Sequence, residues 1–275
     1  MKRSLVSRAV LGILTVMLLV FTLFPVYWML VSAFDKRASG GTPSFLPQSF
    51  TWDNFAYVLT RGGFDVFLRN SAIVAVSVVV VSAAVSLLAS VAVARFRFRF
   101  RTSILLVILA IQMVPLEALV IPLFVQIRDL GLLNQLLGLI IVYVALSLPF
   151  GIWMLRGFVA AVPVELEEAA SIDGATWWRM FRSVLFPLVM PGLVATSVFA
   201  FITAWNEFIF AMTLLGGASE SYTVAIGLKQ FFGDNSNEWG YVMAASTIIT
   251  LPVMVFFVLV QRRLSSGLVA GAVKG

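Results

Sequence analysis

The chain has 275 residues, of which 61% are hydrophobic and only 12% charged, against roughly 25% charged in an average soluble domain. This excludes a water-soluble globular protein and predicts an all-α membrane protein, because continuous apolar runs such as 73–85 lack the alternation that a barrel strand requires. The +6 net charge points to no nucleic acid, since the arginines flank apolar segments and do not pave one face of a folded domain. Cysteine and histidine are both absent, which removes disulfides, thiol nucleophiles, imidazole bases and the commonest zinc ligands.

Six stretches are long enough to cross a hydrocarbon core that needs about 20 apolar residues. They lie near 9–34, 70–94, 102–125, 137–155, 187–215 and 240–260. The first follows Lys2, Arg3 and Arg8, as a signal peptide would. Its 26 uncharged residues exceed a signal's short apolar core, however, and no small-residue cleavage site closes it, so retention as an anchor is expected. The expected organisation is an N-terminal tail at 1–8, a six-span domain at 9–262 that includes a loop at 156–186, and a C-terminal tail at 263–275.

Between the first two spans, Gly40-Gly41, Pro43 and Pro47 predict irregular backbone, followed by a short helix near 55–68. Trp52 and Phe55 are its expected exposed aromatics, suited to a connector or to an outer contact surface. Pro115 and Pro122 interrupt the third span, so a bend is expected there. Glu117 lies between them, about 22 Å from the start of that span at 1.5 Å per residue, and Trp205-Asn206-Glu207 lies about 28 Å beyond Pro187. Polar groups at such depth usually face a bundle interior or a wet cavity. Gln112, Glu117, Asn206 and Glu207 are therefore expected to border a translocation path. The alternative is that Asn206 and Glu207 tie helices together by hydrogen bonds, or sit at the interface beside Trp205.

Lys and Arg sort by loop. With the N-terminus inside, thirteen of the 19 fall in inner segments and six in outer ones, the asymmetry being sharpest in the Arg95-Phe-Arg-Phe-Arg-Phe-Arg101 loop. By the positive-inside rule both termini and the 156–186 loop are expected to be cytoplasmic. That loop contains the most specific pattern in the chain. Pro163 suits a helix start, and Glu165, Glu167 and Glu168 complement its positive end. Asp173-Gly174 fits a helix stop, and a second helix follows with Trp177, Trp178, Phe181 and Leu185.

Glu168-Ala169-Ala170, three residues, Gly174, nine residues and then Val184-Leu185-Phe186-Pro187 resemble the EAA loop of bacterial ABC importer permeases. The departures from that pattern, Val184 and Phe186, exchange one apolar residue for another. Leu148-Pro149-Phe150, Trp205-Asn206 and the tail Gly267–Gly275 are similar to the carbohydrate-uptake branch of these permeases, and in particular to the smaller permease of maltose and glycerol-phosphate type systems. The resemblance implies a six-span type I importer fold in a bacterial cytoplasmic membrane. It also implies a second permease, two ATP-binding subunits that use ATP and Mg, and an outer solute-binding protein. By the same resemblance Glu167, Glu168, Ala169, Ala170, Asp173, Gly174 and Pro187 form the ATPase-coupling element, with Glu168 pairing a basic residue of the ATPase. Gly271, Lys274 and Gly275 belong to a tail that reaches the ATPase interface.

No G-x-x-x-x-G-K-[ST] phosphate loop occurs, so this chain is expected to bind no nucleotide, metal or other cofactor itself and to be no enzyme. The leading expectation is import of a sugar or oligosaccharide, with glycerol-3-phosphate or another polar solute as the alternative. Anionic cargo would favour buried Lys or Arg, and the spans offer none. An ion-coupled carrier would need an acidic relay, for which Glu117 and Glu207 are a thin basis.

Overall fold

The computed structural model describes residues 5–40, 45–46, 49–233 and 238–272. Apart from a single isolated bridge between Asp35 and Phe50, the described residues are helical or irregular. The helices begin with α1 (Leu5–Ala33), α2 (Asp53–Thr60), α3 (Phe64–Arg95), α4 (Arg101–Gln112), α5 (Val120–Asp129) and α6 (Leu136–Ala161). They continue with α7 (Val164–Ile172), α8 (Trp177–Met180), α9 (Phe186–Asn206), α10 (Ile209–Leu215), α11 (Val224–Lys229) and α12 (Trp239–Ala272). The chain divides into two compact units, Met1–Asp65 with Gly227–Pro252, and Val66–Ile226 with Val253–Gly275.

In the first unit, none of the apolar window of α1 is buried by the chain itself. Just beyond α1, Asp35 is fully buried and accepts the Arg37 backbone N–H at 3.1 Å and the Ser49 hydroxyl at 3.2 Å. Asn54 donates its amide to the carbonyls of Ala33 and Asp35 at 2.9 and 3.2 Å, fastening α2 to the end of α1. The helix expected near 55–68 is divided. Gly63 adopts φ +67, a left-handed conformation that costs glycine little, and it separates α2 from the start of α3 at Phe64. Trp52 is exposed and Phe55 half-buried, and both pack against the ring of Phe34.

The second unit is organised around α3, α6 and α9. Leu87 and Val91 of α3 meet Leu155 and Val159 of α6, and Val162, Met180, Phe181, Leu185 and Val189 complete this cluster. Lipid tails give helices no hydrophobic reason to associate, so close packing must supply the attraction, and small residues permit it. A Cβ added to Gly151 would stand 2.5 Å from Ser86 Oγ, and one added to Gly192 would collide with the ring of Phe158.

Two expected spans are interrupted. In the third, α4 stops at Gln112 and its limb meets the Leu116–Asp129 limb at 99°. Pro115 lies at the break and supplies no N–H to continue the ladder, whereas Pro122 falls in the first turn of α5, where its missing N–H would have no helical partner. Among the described residues, five helices are thus long and apolar enough to span a membrane, and a sixth span exists if the bent pair counts as one. The depth expected for Glu117 does not hold, because α4 has 12 residues and ends about 18 Å from its start. The fifth expected span also differs. A π-helical turn at Phe181–Leu185 fuses α8 to α9, giving one rod from Trp177 to Asn206, and the helix then breaks at Glu207 before α10. The Phe186 N–H reaches back five residues to Phe181 O, a widened turn that accommodates the Pro187 ring where a tighter turn would press it against a carbonyl.

Gly151→Leu and Gly192→Leu should each destabilise the chain by about 1–3 kcal/mol through overpacking, read as earlier thermal unfolding in detergent. Gly157→Leu is the control, because nothing stands within 4 Å of the added Cβ. Equal stability of all three variants would contradict this account of the packing.

Candidate functional site

The α7–α8 pair is fixed by its own backbone before any partner is considered. Gly174 adopts φ +77, and the Ala175 N–H bonds to Ala170 O at 3.0 Å while the Gly174 N–H bonds to Ser171 O at 3.1 Å. This six-to-one and five-to-two pair of bonds is the Schellman stop, which satisfies carbonyls that the helix end leaves free. No atom lies within 4 Å of a Cβ built on Gly174, so its requirement is conformational rather than steric. Thr176 then caps α8 by accepting the Arg179 N–H.

The faces of α7 have different surroundings. Ala170 packs against the cluster formed by α3, α6 and the Phe181–Val189 segment. Glu167 turns toward α3, where Arg95 Nε donates to its Oε1 at 2.7 Å, and the Arg95 Nη2 group donates to Val162 O at 2.8 Å. The two side chains are only 14% and 13% exposed, so one guanidinium holds both α7 and the end of α6. Glu168, Ala169 and Asp173 are exposed on the other side, as is Pro187 further on. Ile172 is 87% exposed and Trp178 61% exposed, an apolar surface beside an acidic one.

A second feature lies where α4 and α5 part. A pocket of about 260 Å³ is lined by Gln112 and Leu116 at the bend, Tyr143, Ser147 and Phe150 of α6, and Phe199 and Thr203 of α9, with Glu207 beyond. The rings of Phe150 and Phe199 stand 4.0 Å apart between centroids and form an aromatic wall. Among the described residues no Lys or Arg lines it. Of the four polar residues expected at a path, Gln112 and Glu207 meet here. Glu117 is exposed and absent from the lining, and Asn206 is exposed and bonds back to Ile202 O on its own helix at 2.9 Å.

Glu207 has a further task. Its Oε1 accepts the Phe210 N–H at 2.9 Å, and its Oε2 accepts the Ala211 N–H at 3.0 Å and the Tyr143 hydroxyl at 2.5 Å. The carboxylate therefore caps the free N–H groups at the start of α10 and ties them to α6. Sequence reasoning missed Tyr143 and the pairing role of Arg95, because each partner lies far away along the chain. The only local signal was Arg95 itself, the first residue of a basic run. Among the described residues no group of three or more acidic side chains stands ready to hold a metal.

A family model described as binding-protein-dependent transport system inner membrane component matches residues 84–269. The diacetylchitobiose uptake system permease protein DasC of Streptomyces coelicolor is 42% identical over 280 residues, covering 100% of both chains. The trehalose/maltose transport system permease protein MalG of Thermococcus litoralis is 35% identical over 278 residues, again covering 100% of both. In fold, the chain resembles one from the crystal structure of a bacterial ABC transporter involved in the import of the acidic polysaccharide alginate, with a TM-score of 0.80 and 24% identity over 95% of this chain and 99% of that one.

Glu207→Gln should cost about 1.5–3 kcal/mol of stability, because the amide loses charge-assisted bonds and turns a donor toward other donors. Tyr143→Phe, which leaves both N–H bonds in place, should cost about 0.6 kcal/mol, the mean for hydrogen bonds between membrane helices. Thermal unfolding in detergent checks the order, and a Glu207→Gln variant as stable as the parent would show that the cap contributes nothing.

Proposed function

We propose, because this chain belongs to the family of binding-protein-dependent transport system inner membrane components, that it is a permease subunit of an ATP-driven importer of a neutral sugar or oligosaccharide. The observation that carries the reading is the α7–α8 pair, a helical element whose outer face is exposed and whose inner face is locked to the transmembrane core. Such an element can receive force on one side and deliver it on the other.

In this mechanism two cytoplasmic ATP-binding subunits hydrolyse ATP with Mg, and one of them receives α7 and α8 in a cleft. Glu168 offers its carboxylate to a basic residue there, while Ile172 and Trp178 supply apolar contact. Gly174 fixes the angle between the two short helices. Movement of α7 passes through Ala170 and Phe181 into the cluster shared by α3, α6 and α9, and through Glu167 and Arg95 directly into α3. A packed, two-state bundle converts such a shift into an alternation of access. Glu167 thus acts by holding α7 to α3, whereas Glu168 meets the partner.

Cargo crosses beside a second, homologous permease, delivered by an outer solute-binding protein. The pocket at the α4–α5 bend contributes Gln112, Ser147, Thr203 and an aromatic wall, groups that suit the hydroxyls and apolar faces of a sugar. The absence of a cation from its lining favours a neutral solute over a phosphorylated one. The similarity to permeases named for diacetylchitobiose and for trehalose and maltose supports the same cargo class. Both termini and the α7–α8 pair lie on the cytoplasmic side in this scheme. In the tail, Gly271 falls in the helical backbone of α12, while Lys274 and Gly275 lie outside the described residues. All three are assigned to the ATPase interface by resemblance alone.

The test is transport by the chain assembled with its genomic partners in lipid vesicles. Glu168→Ala and Gly174→Pro should insert normally yet lower sugar import at least tenfold, with hydrolysis no longer stimulated by cargo. Import at the parental rate in both would sink the coupling role. Orientation can be tested independently, because the chain has no cysteine. A Ser171→Cys variant should react with a membrane-impermeant maleimide in inverted vesicles and not in intact cells, and the opposite pattern would reverse the topology.

A further inference from the structure

The short connector from α3 to α4 has the pattern Arg95-Phe96-Arg97-Phe98-Arg99-Phe100-Arg101. Its arginines have separate surroundings. Arg95 is turned inward to Glu167 and Val162, and pins the root of the connector. Arg97 and Arg99 are exposed and Arg101 half-buried, and among the described residues none of the three has a carboxylate within ion-pair distance. Phe96, Phe98 and Phe100 are all exposed, Phe100 the most at 63%, and the Arg99 guanidinium lies 5.9 Å from the Phe100 ring centroid.

We propose that this connector is a binding surface for anionic phospholipid headgroups. Three exposed phenylalanines interleaved with three unpaired arginines are costly in plain water and satisfied at a membrane interface, where rings enter the acyl boundary and guanidiniums meet phosphate. The flanking helices supply the continuity. Leu88 of α3 and Ile104, Leu106 and Val107 of α4 are exposed apolar residues on the helices to either side of the connector. Exposed apolar side chains, exposed rings and exposed cations thus lie together in one short stretch of chain, the mixture of groups that a membrane interface accommodates. An acidic protein surface would account for the arginines but not for the exposed phenylalanines between them and the exposed apolar residues on both flanking helices. Guanidinium suits the partner because its planar fork matches phosphate oxygens. The proposal is independent of the cargo and rests only on α3 and α4 meeting a bilayer.

The experiment uses the purified full chain in a neutral detergent, titrated with phosphatidylglycerol or phosphatidylcholine, with bound lipids counted by native mass spectrometry. The parent should retain phosphatidylglycerol selectively. R97Q/R99Q/R101Q should weaken that binding by about fivefold per arginine removed, leaving phosphatidylcholine unaffected. R97K/R99K/R101K, which keeps the charge, should retain selectivity and guards against a folding artefact in the first variant. R61Q/R69Q/R128Q, with the same number of charges removed elsewhere, should bind as the parent does.

Parental phosphatidylglycerol binding by the glutamine variant would overturn the proposal, as would an equal loss in the control, which would mean bulk charge. Displacement of the lipid by inorganic phosphate would indicate a small anion site, and loss of a co-expressed ATP-binding subunit with lipid binding intact would assign the surface to a protein. Either outcome would refute it. None of these readouts depends on transport, so a failure here is separable from a failure of the sugar-import reading.

Discussion

A broken helix must find partners for the backbone groups it frees, most stringently where the surroundings are hydrocarbon, and three interruptions among the described residues are shaped by that requirement. At Pro115 a one-turn 3-10 helix takes over as the direction changes by 99°. At Gly174 a left-handed residue lets two carbonyls find N–H partners. At Glu207 a carboxylate replaces the missing carbonyl acceptors for the start of α10. The bend makes room for the pocket, the left-handed turn shapes the exposed helical pair, and the carboxylate holds the pocket's far wall. In each case the device that satisfies the backbone also places a candidate site.

The packing between these points is close rather than hydrophobic in origin. Glycines at 151 and 192 let α6 approach α3 and α9, so that movement of one helix is felt by the others. The Arg95–Glu167 pair adds a directional link to that packing. Exposed pairs contribute little, about 0–1 kcal/mol, but here both side chains are largely shielded and the guanidinium also satisfies the carbonyl of Val162. Losing either partner would leave a charge without its counter-ion in a poorly solvated place, which is the costlier event. The link thus fixes where α7 stands more than it adds to stability.

The helical pair, the pocket and the basic connector lie in one unit of the chain, and the proposed function divides the labour of a permease among them. In the proposed scheme force arrives at α7–α8, the solute meets the aromatic and hydroxyl groups at the bend, and the connector between α3 and α4 faces the lipid. Arg95 belongs to two of these at once, as the first residue of the connector and the partner of Glu167. Arg95 thereby joins the root of the connector directly to α7.

Much of this was legible in the residues themselves. Composition dictates membrane helices because apolar runs of that length have no other stable solvent. The Pro163–Gly174 segment dictates where a helix starts and stops because proline, clustered acids and glycine each act on the nearest turn. The break near Pro115 follows from a missing N–H. What the sequence could not determine depends on partners distant in the chain. Glu167 and Glu168 are adjacent acids on one helix, and only the packing of α7 against α3 gives one to Arg95 and leaves the other exposed. Glu207 could be read as a path-lining group or as a tie between helices, and only the fold, by bringing Tyr143 from 64 residues earlier beside it, shows the tie and its partner. Local steric and hydrogen-bonding rules act over one or two turns and were readable, whereas the role of a charged group is set by whichever atoms the folded chain brings within about 3 Å of it, and only the tertiary structure decides those.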